Sequence, residues 1–63
     1  MPARFEVYAG SGHHDRWYWR LVGANGEKVA QSEAYTRKED AIRGALDARQ
    51  AALDADPGDI RAQ

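Results

Sequence analysis

Few side chains in this sequence could do chemistry, and they do not converge. "HHD", His13 to Asp15, holds both histidines, and imidazoles beside a carboxylate can bind zinc or shuttle protons. Adjacent residues of an extended chain point apart, however, and no further ligand stands at a metal-site spacing, so the segment reads as a solvated loop tip. Ser11, Ser32 and Thr36 lie in no nucleophile elbow, and no glycine-rich phosphate cradle precedes a helix. Cysteine is absent, which removes thiol nucleophiles, CxxC zinc sites and disulfides together. Asp54, Asp56 and Asp59 lack the spacing of a calcium loop and read as solvation of the tail. The expectation is a protein with no catalytic residue, no metal and no cofactor.

One constellation remains. Tyr8, Arg16, Tyr18 and Arg20, joined by Arg4 and Lys28, alternate with apolar residues and form the candidate binding face. Aromatics beside arginines can stack bases and contact phosphates of a single strand. The same residues can instead pair across strands, Glu6 with Arg16 or Arg20 and tyrosine rings over arginine stems, and so solvate an open sheet face. Nine Lys and Arg against ten Asp and Glu, a formal charge of −1, supply no global attraction to nucleic acid or anionic lipid, which favours the second reading.

The face exists only if strands carry it. "RFEVYA", residues 4–9, alternates Phe5 and Val7 against Arg4, Glu6 and Tyr8, the period of a half-buried strand. "GSGHHD" is a turn-rich connection. Residues 16–22 place Trp17, Trp19 and Leu21 opposite Arg16, Tyr18 and Arg20. In "GANGEKVAQS", Asn25-Gly26 marks a hairpin. A two-residue loop would set Leu21 opposite Ala30 and Trp19 opposite Ser32. A three-residue loop, 24–26 with Gly26 in the left-handed region, sets Leu21 opposite Val29 and keeps apolar residues on one side. Burial selects the three-residue loop.

From Thr36 the period becomes helical: "TRKEDAIRGALDARQAAL" spaces Ala41, Ile42, Ala45, Leu46, Ala48, Ala52 and Leu53 as an amphipathic helix. Thr36 and Glu39 have capping-box spacing, Glu39 and Arg43 form a favourable i,i+4 pair, and Asp56-Pro57-Gly58 ends the run. Ala41, Gly44, Ala45, Ala48 and Ala52 make a stripe of small residues. Glycine inside a helix costs about 1 kcal/mol relative to alanine, so the stripe implies close approach to large rings, with Phe5, Trp17 and Trp19 available.

At 63 residues the chain is read as one domain, residues 1–63, and a chain of that size buries only about 60% of the surface it exposes unfolded. With no disulfide to help, self-association is the expected remedy. Phe5, Val7, Trp17, Trp19, Leu21, Val29, Ile42, Leu46 and Ile60 are the candidates for core and dimer interface; the tryptophans could alternatively wall a ligand pocket. No stretch approaches the roughly 18 apolar residues of a membrane span, and the start lacks a signal-peptide apolar region, so a soluble, cytoplasmic protein is expected.

"FEVY", "WYWRLVGANGEKVAQSEAY" and "GALDA" together resemble the YegP-like family of small bacterial and archaeal proteins. The likeness runs from Phe5 to about Ile60, and its most specific part is W-R-L, Asn25-Gly26 and "SEAY". The resemblance implies an α+β fold, three antiparallel strands, a helix and a short final strand (βββαβ). In a single copy it implies a homodimer with one continuous sheet and exchanged C-terminal strands, here residues 57–61 anchored by Ile60. Larger apolar residues are common in the family where this chain has Ala45 and Ala48, and "GSGHHD" is longer and more polar than usual. The family has no known biochemical activity, so the resemblance implies architecture alone. The functional expectation is a non-enzymatic homodimeric interaction module, with single-stranded nucleic-acid binding as the alternative and a small-molecule pocket between subunits below that.

Overall fold

A computed structural model describes residues 2–12, 15–58 and 60–61. Three strands and a helix follow one another: β1 (Arg4–Ala9), β2 (Trp17–Val22), β3 (Lys28–Gln31) and α1 (Lys38–Asp54). The strands form one antiparallel sheet in the order β1-β2-β3, and α1 packs on β1 and β2 but not on β3. The α+β class and the three-stranded meander agree with the sequence pattern.

The β1–β2 register sorts the side chains by parity. Phe5 pairs with Leu21, Val7 with Trp19 and Ala9 with Trp17, while Arg4 pairs with Val22, Glu6 with Arg20 and Tyr8 with Tyr18. Successive residues of a strand point to opposite faces, so the rings and aliphatics gather on one face and the arginines and tyrosines on the other. Phe5 and Trp19 meet edge to face with ring centroids 5.6 Å apart. Gly44 of α1 lies directly over this face: a β-carbon there would sit 2.8 Å from Tyr35 Cζ and 3.1 Å from Trp19 Nε1. The small-residue stripe therefore does allow close approach, with Ala41 and Ala45 buried beside it. Trp19 Nε1 is buried there without a hydrogen-bond partner.

The β2–β3 hairpin keeps one part of the expected geometry and corrects another. Gly23 N–H donates to Glu27 O at 2.8 Å, closing a loop over 24–26, and Gly26 has φ +85°. Val22 then faces Lys28, as the three-residue loop requires. Between Val22 and Leu21 the register shifts, so that Leu21 faces Ala30 and Arg20 faces Gln31. Val29 is the extra residue and stands 66% exposed. Burial would reward Val29 for standing against Leu21, the arrangement that the apolar pattern favours. Since α1 does not cover β3, that reward is absent and the bulge at Val29 takes its place.

Past β3 the chain keeps its hold on β2 by other means. Ser32 N–H donates to Trp19 O, and Trp19 N–H donates to the Ser32 hydroxyl, both at 2.9 Å. That hydroxyl in turn donates to Glu33 O at 2.8 Å. Tyr35 and Trp17 then exchange both backbone hydrogen bonds, at 2.7 and 2.8 Å.

The helix begins later than its capping box implied. Arg37, at φ −126° and ψ 143°, occupies the N-cap with no side-chain cap bond, and Ala41 N–H to Arg37 O is the first helical link. The backbone pair at Tyr35 holds the chain extended too far for Thr36 to cap. Glu39 and Asp40 in the first turn still oppose the positive end of the helix dipole. The Glu39–Arg43 pair does not form among the described residues. At the other end Ala55 is extended, and Gly58 N–H donates to the Asp56 carboxylate at 2.9 Å in a local turn.

Candidate functional site

The arginine-tyrosine face is an interlocked cluster rather than a row of independent side chains. Glu6, on β1, accepts from Arg20 Nε at 2.7 Å across the strand pair and from Arg4 Nε at 2.8 Å along its own strand. The hydrogen bond from Arg20, followed by that from Arg4, holds the Glu6 carboxyl below the usual carboxylate range against the opposing effect of burial. Arg20 also lies over the Tyr8 ring, 4.7 Å from its centroid, and Tyr8 stacks on Tyr18 at 5.6 Å with 22° between the planes. Arg20, Tyr8 and Tyr18 thus form a pile. The pairing that the sequence allowed between Glu6 and either Arg16 or Arg20 goes to Arg20.

This arrangement bears on the nucleic-acid alternative. A stacking platform needs open ring faces, and Tyr8 has Arg20 and Tyr18 as its neighbours. Arg16 is exposed, one residue before β2; its Cβ and carbonyl approach Gly10, whose N–H donates to Arg16 O at 2.8 Å.

Next to the pile lies an open depression of about 280 Å³ lined by Arg4, Glu6, Arg20, Val22, Gly26 and Lys28. Val22 is its floor, only 5% exposed, although its parity puts it on the polar face. The bulge at Val29 has a consequence here. Three residues apart in a regular strand would point to opposite faces, yet Lys28 Nζ donates to Gln31 Oε1 at 2.8 Å, because the inserted residue returns Gln31 to the face of Lys28.

The opposite face carries the expected core set only in part. Phe5, Val7, Trp17, Trp19 and Leu21 are half-buried against α1, and Lys38 Nζ sits 5.6 Å from the Trp17 ring centroid. Of the residues expected in the core or dimer interface, Val29, Ile42, Leu46 and Ile60 are exposed in the single chain, Leu46 at 59% and Ile60 at 88%. Ile42 and Leu46 lie on the flank of α1, off the stripe that touches the sheet. Residues 57, 58, 60 and 61 form no strand in the single chain. Sequence reasoning missed Val22, Ser32 and Tyr35, the last two within "SEAY", where the absence of alternation hid their contacts with β2 and α1.

Among the described residues no group of three or more His, Cys, Asp or Glu side chains could hold a metal, and no helix is long and apolar enough to cross a membrane. His13, His14 and Asp59 lie outside the described residues.

A three-stranded meander carrying one helix over two of its strands defines a small α+β domain. The family described as "Domain of unknown function (DUF1508)" matches residues 13–57, and the chain belongs to that family, the one its YegP-like motifs indicate. A protein of Haloferax volcanii, its structure determined by NMR in solution, is 37% identical, with 97% of each chain covered and a TM-score of 0.74. No curated protein gives a significant match.

Proposed function

We propose that this chain acts as a non-enzymatic, cytoplasmic homodimeric interaction module whose C-terminal segment, residues 57–61, adds a strand to its partner. The observation that carries this reading is the unfinished core. Val22, Ala41 and Ala45 are the only buried apolar residues among those described, and no large side chain is fully buried. Meanwhile Ile42, Leu46 and Leu53 stand exposed on one flank of α1, within about 40° of one another at 100° per residue. A second copy would cover that flank, and Ile60, between polar neighbours, is the apolar anchor for an exchanged strand. The uncovered β3 offers a further apolar residue, Val29, to the same interface.

Sedimentation equilibrium tests the assembly: a dimer at micromolar concentration is expected, and a folded monomer there overturns it. Leu46→Asp should shift the equilibrium to monomer. Deleting residues 57–63 should weaken association, and a truncated chain that dimerises as tightly as the intact one removes the exchange while leaving the helix flank as the interface.

A further inference from the structure

We infer that the depression over Val22 is a binding site for a phosphate-sized oxyanion. Arg4, Arg20 and Lys28 line it against one carboxylate, Glu6, an excess of two positive charges in a space of about 280 Å³. Glu6 takes only the Nε donors of the two arginines. The terminal Nη groups of Arg4 and Arg20 have no hydrogen-bond partner among the described residues. These are the donors that form paired bonds to phosphoryl oxygens.

The cations are also held in place before any ligand arrives. Arg20 is fixed from one side by Glu6 and from another by the Tyr8 ring, so less side-chain freedom is lost on binding. Arg4 and Lys28 flank Val22 from the neighbouring strands, which sets their backbones roughly 10 Å apart, two inter-strand spacings. That separation leaves room for an ion of phosphate size between the two side chains. Lys28 gives one of its three N–H donors to Gln31 and keeps two. Gly26 lines the same depression without a side chain, and a β-carbon there would meet nothing within 4 Å. A small anion rather than a polynucleotide fits, because the ring pile next to the site is already stacked on itself. The inference does not rest on the dimer.

The test is a titration of the ¹⁵N-labelled full chain with inorganic phosphate at neutral pH, chloride being exchanged to hold ionic strength constant. The expected result is saturable shifts confined to the Arg4 and Arg20 Nε–H signals and the amides of Val22, Gly26 and Lys28. Arg20→Gln should weaken binding about tenfold or more, the size of a lost charged hydrogen bond. Arg16→Gln, outside the depression, should leave it unchanged. Should Arg20→Gln fail to fold, Lys28→Gln at an exposed position must weaken binding instead. Shifts that do not saturate, that spread to Arg43 and Arg49, or that survive these substitutions overturn the site. So does tighter binding of a single-stranded oligonucleotide that Arg16→Gln reduces as much as Arg20→Gln, which would assign the face to a polynucleotide.

Discussion

Gly44 of α1 and Tyr35, just past β3, are packed so closely that no side chain fits between them: a β-carbon on Gly44 would lie 2.8 Å from Tyr35 Cζ. Alanine at a helix-interior glycine ordinarily stabilises by about 1 kcal/mol. Here Gly44→Ala is expected to destabilise by about 1–3 kcal/mol through overpacking. Tyr35→Phe, which removes the hydroxyl nearest the new methyl, should recover part of that loss in the double variant. Urea unfolding of the four proteins measures it, and a stabilised Gly44→Ala would contradict the contact.

Ser32 supplies with its side chain what the backbone ladder lacks opposite Trp19. Ser32→Ala leaves the part-buried Trp19 N–H without that acceptor, at an expected cost of about 1–3 kcal/mol. Hydrogen exchange at the Trp19 amide should accelerate in this variant more than at Glu6 or Tyr8, which pair with β2 from the other side, since the lesion is local to the β2–β3 side.

Glu6 makes stability depend on acid in a stated direction. Its carboxyl is held below the usual carboxylate range by Arg20 and then Arg4, so unfolding raises its affinity for protons. The stabilisation is present above the ordinary carboxylate range and is lost as pH falls through the lowered folded value. Thermal melts of the native chain and Glu6→Gln should differ at neutral pH and converge under acid; a gap independent of pH would rule out the ion pairs as its source.

Gly26 isolates the backbone effect from packing, because its φ is +85° and open space surrounds its missing β-carbon. Gly26→Ala should cost about 1 kcal/mol and Gly26→Asn less, since asparagine tolerates the left-handed region. Equal stability of all three by urea unfolding would refute the strain argument.

What was legible in the sequence depended on whether local patterning determined it. Alternation in "RFEVYA" and "WYWRLV" assigned Arg4 to Tyr8 and Trp17 to Leu21 to their faces, and Asn25-Gly26 announced the left-handed turn. The cost of Gly44 announced a close approach to rings, for which Phe5, Trp17 and Trp19 were available; Trp19 is one of the two it meets, and the nearer, Tyr35, was not among them. Val29 was misread because its register hinges on which strands α1 covers, a tertiary fact with no local signature. Thr36 failed as a cap because the Tyr35–Trp17 bridge, thirty-five and seventeen places along the chain, keeps the backbone extended. The depression over Val22 was only half visible: parity placed Arg4, Arg20 and Lys28 together, but the bulge that brings Gln31 to Lys28 could not be read from spacing.

Both tryptophans sit on β2 and face α1, with Lys38 above Trp17 and Gly44 against Trp19. Their fluorescence is therefore an intrinsic gauge of helix docking. It will respond when α1 lifts from the sheet and stay silent to events confined to the tip of the β2–β3 hairpin. Any spectroscopic midpoint from these indoles dates the departure of the helix, and the hairpin needs a probe of its own.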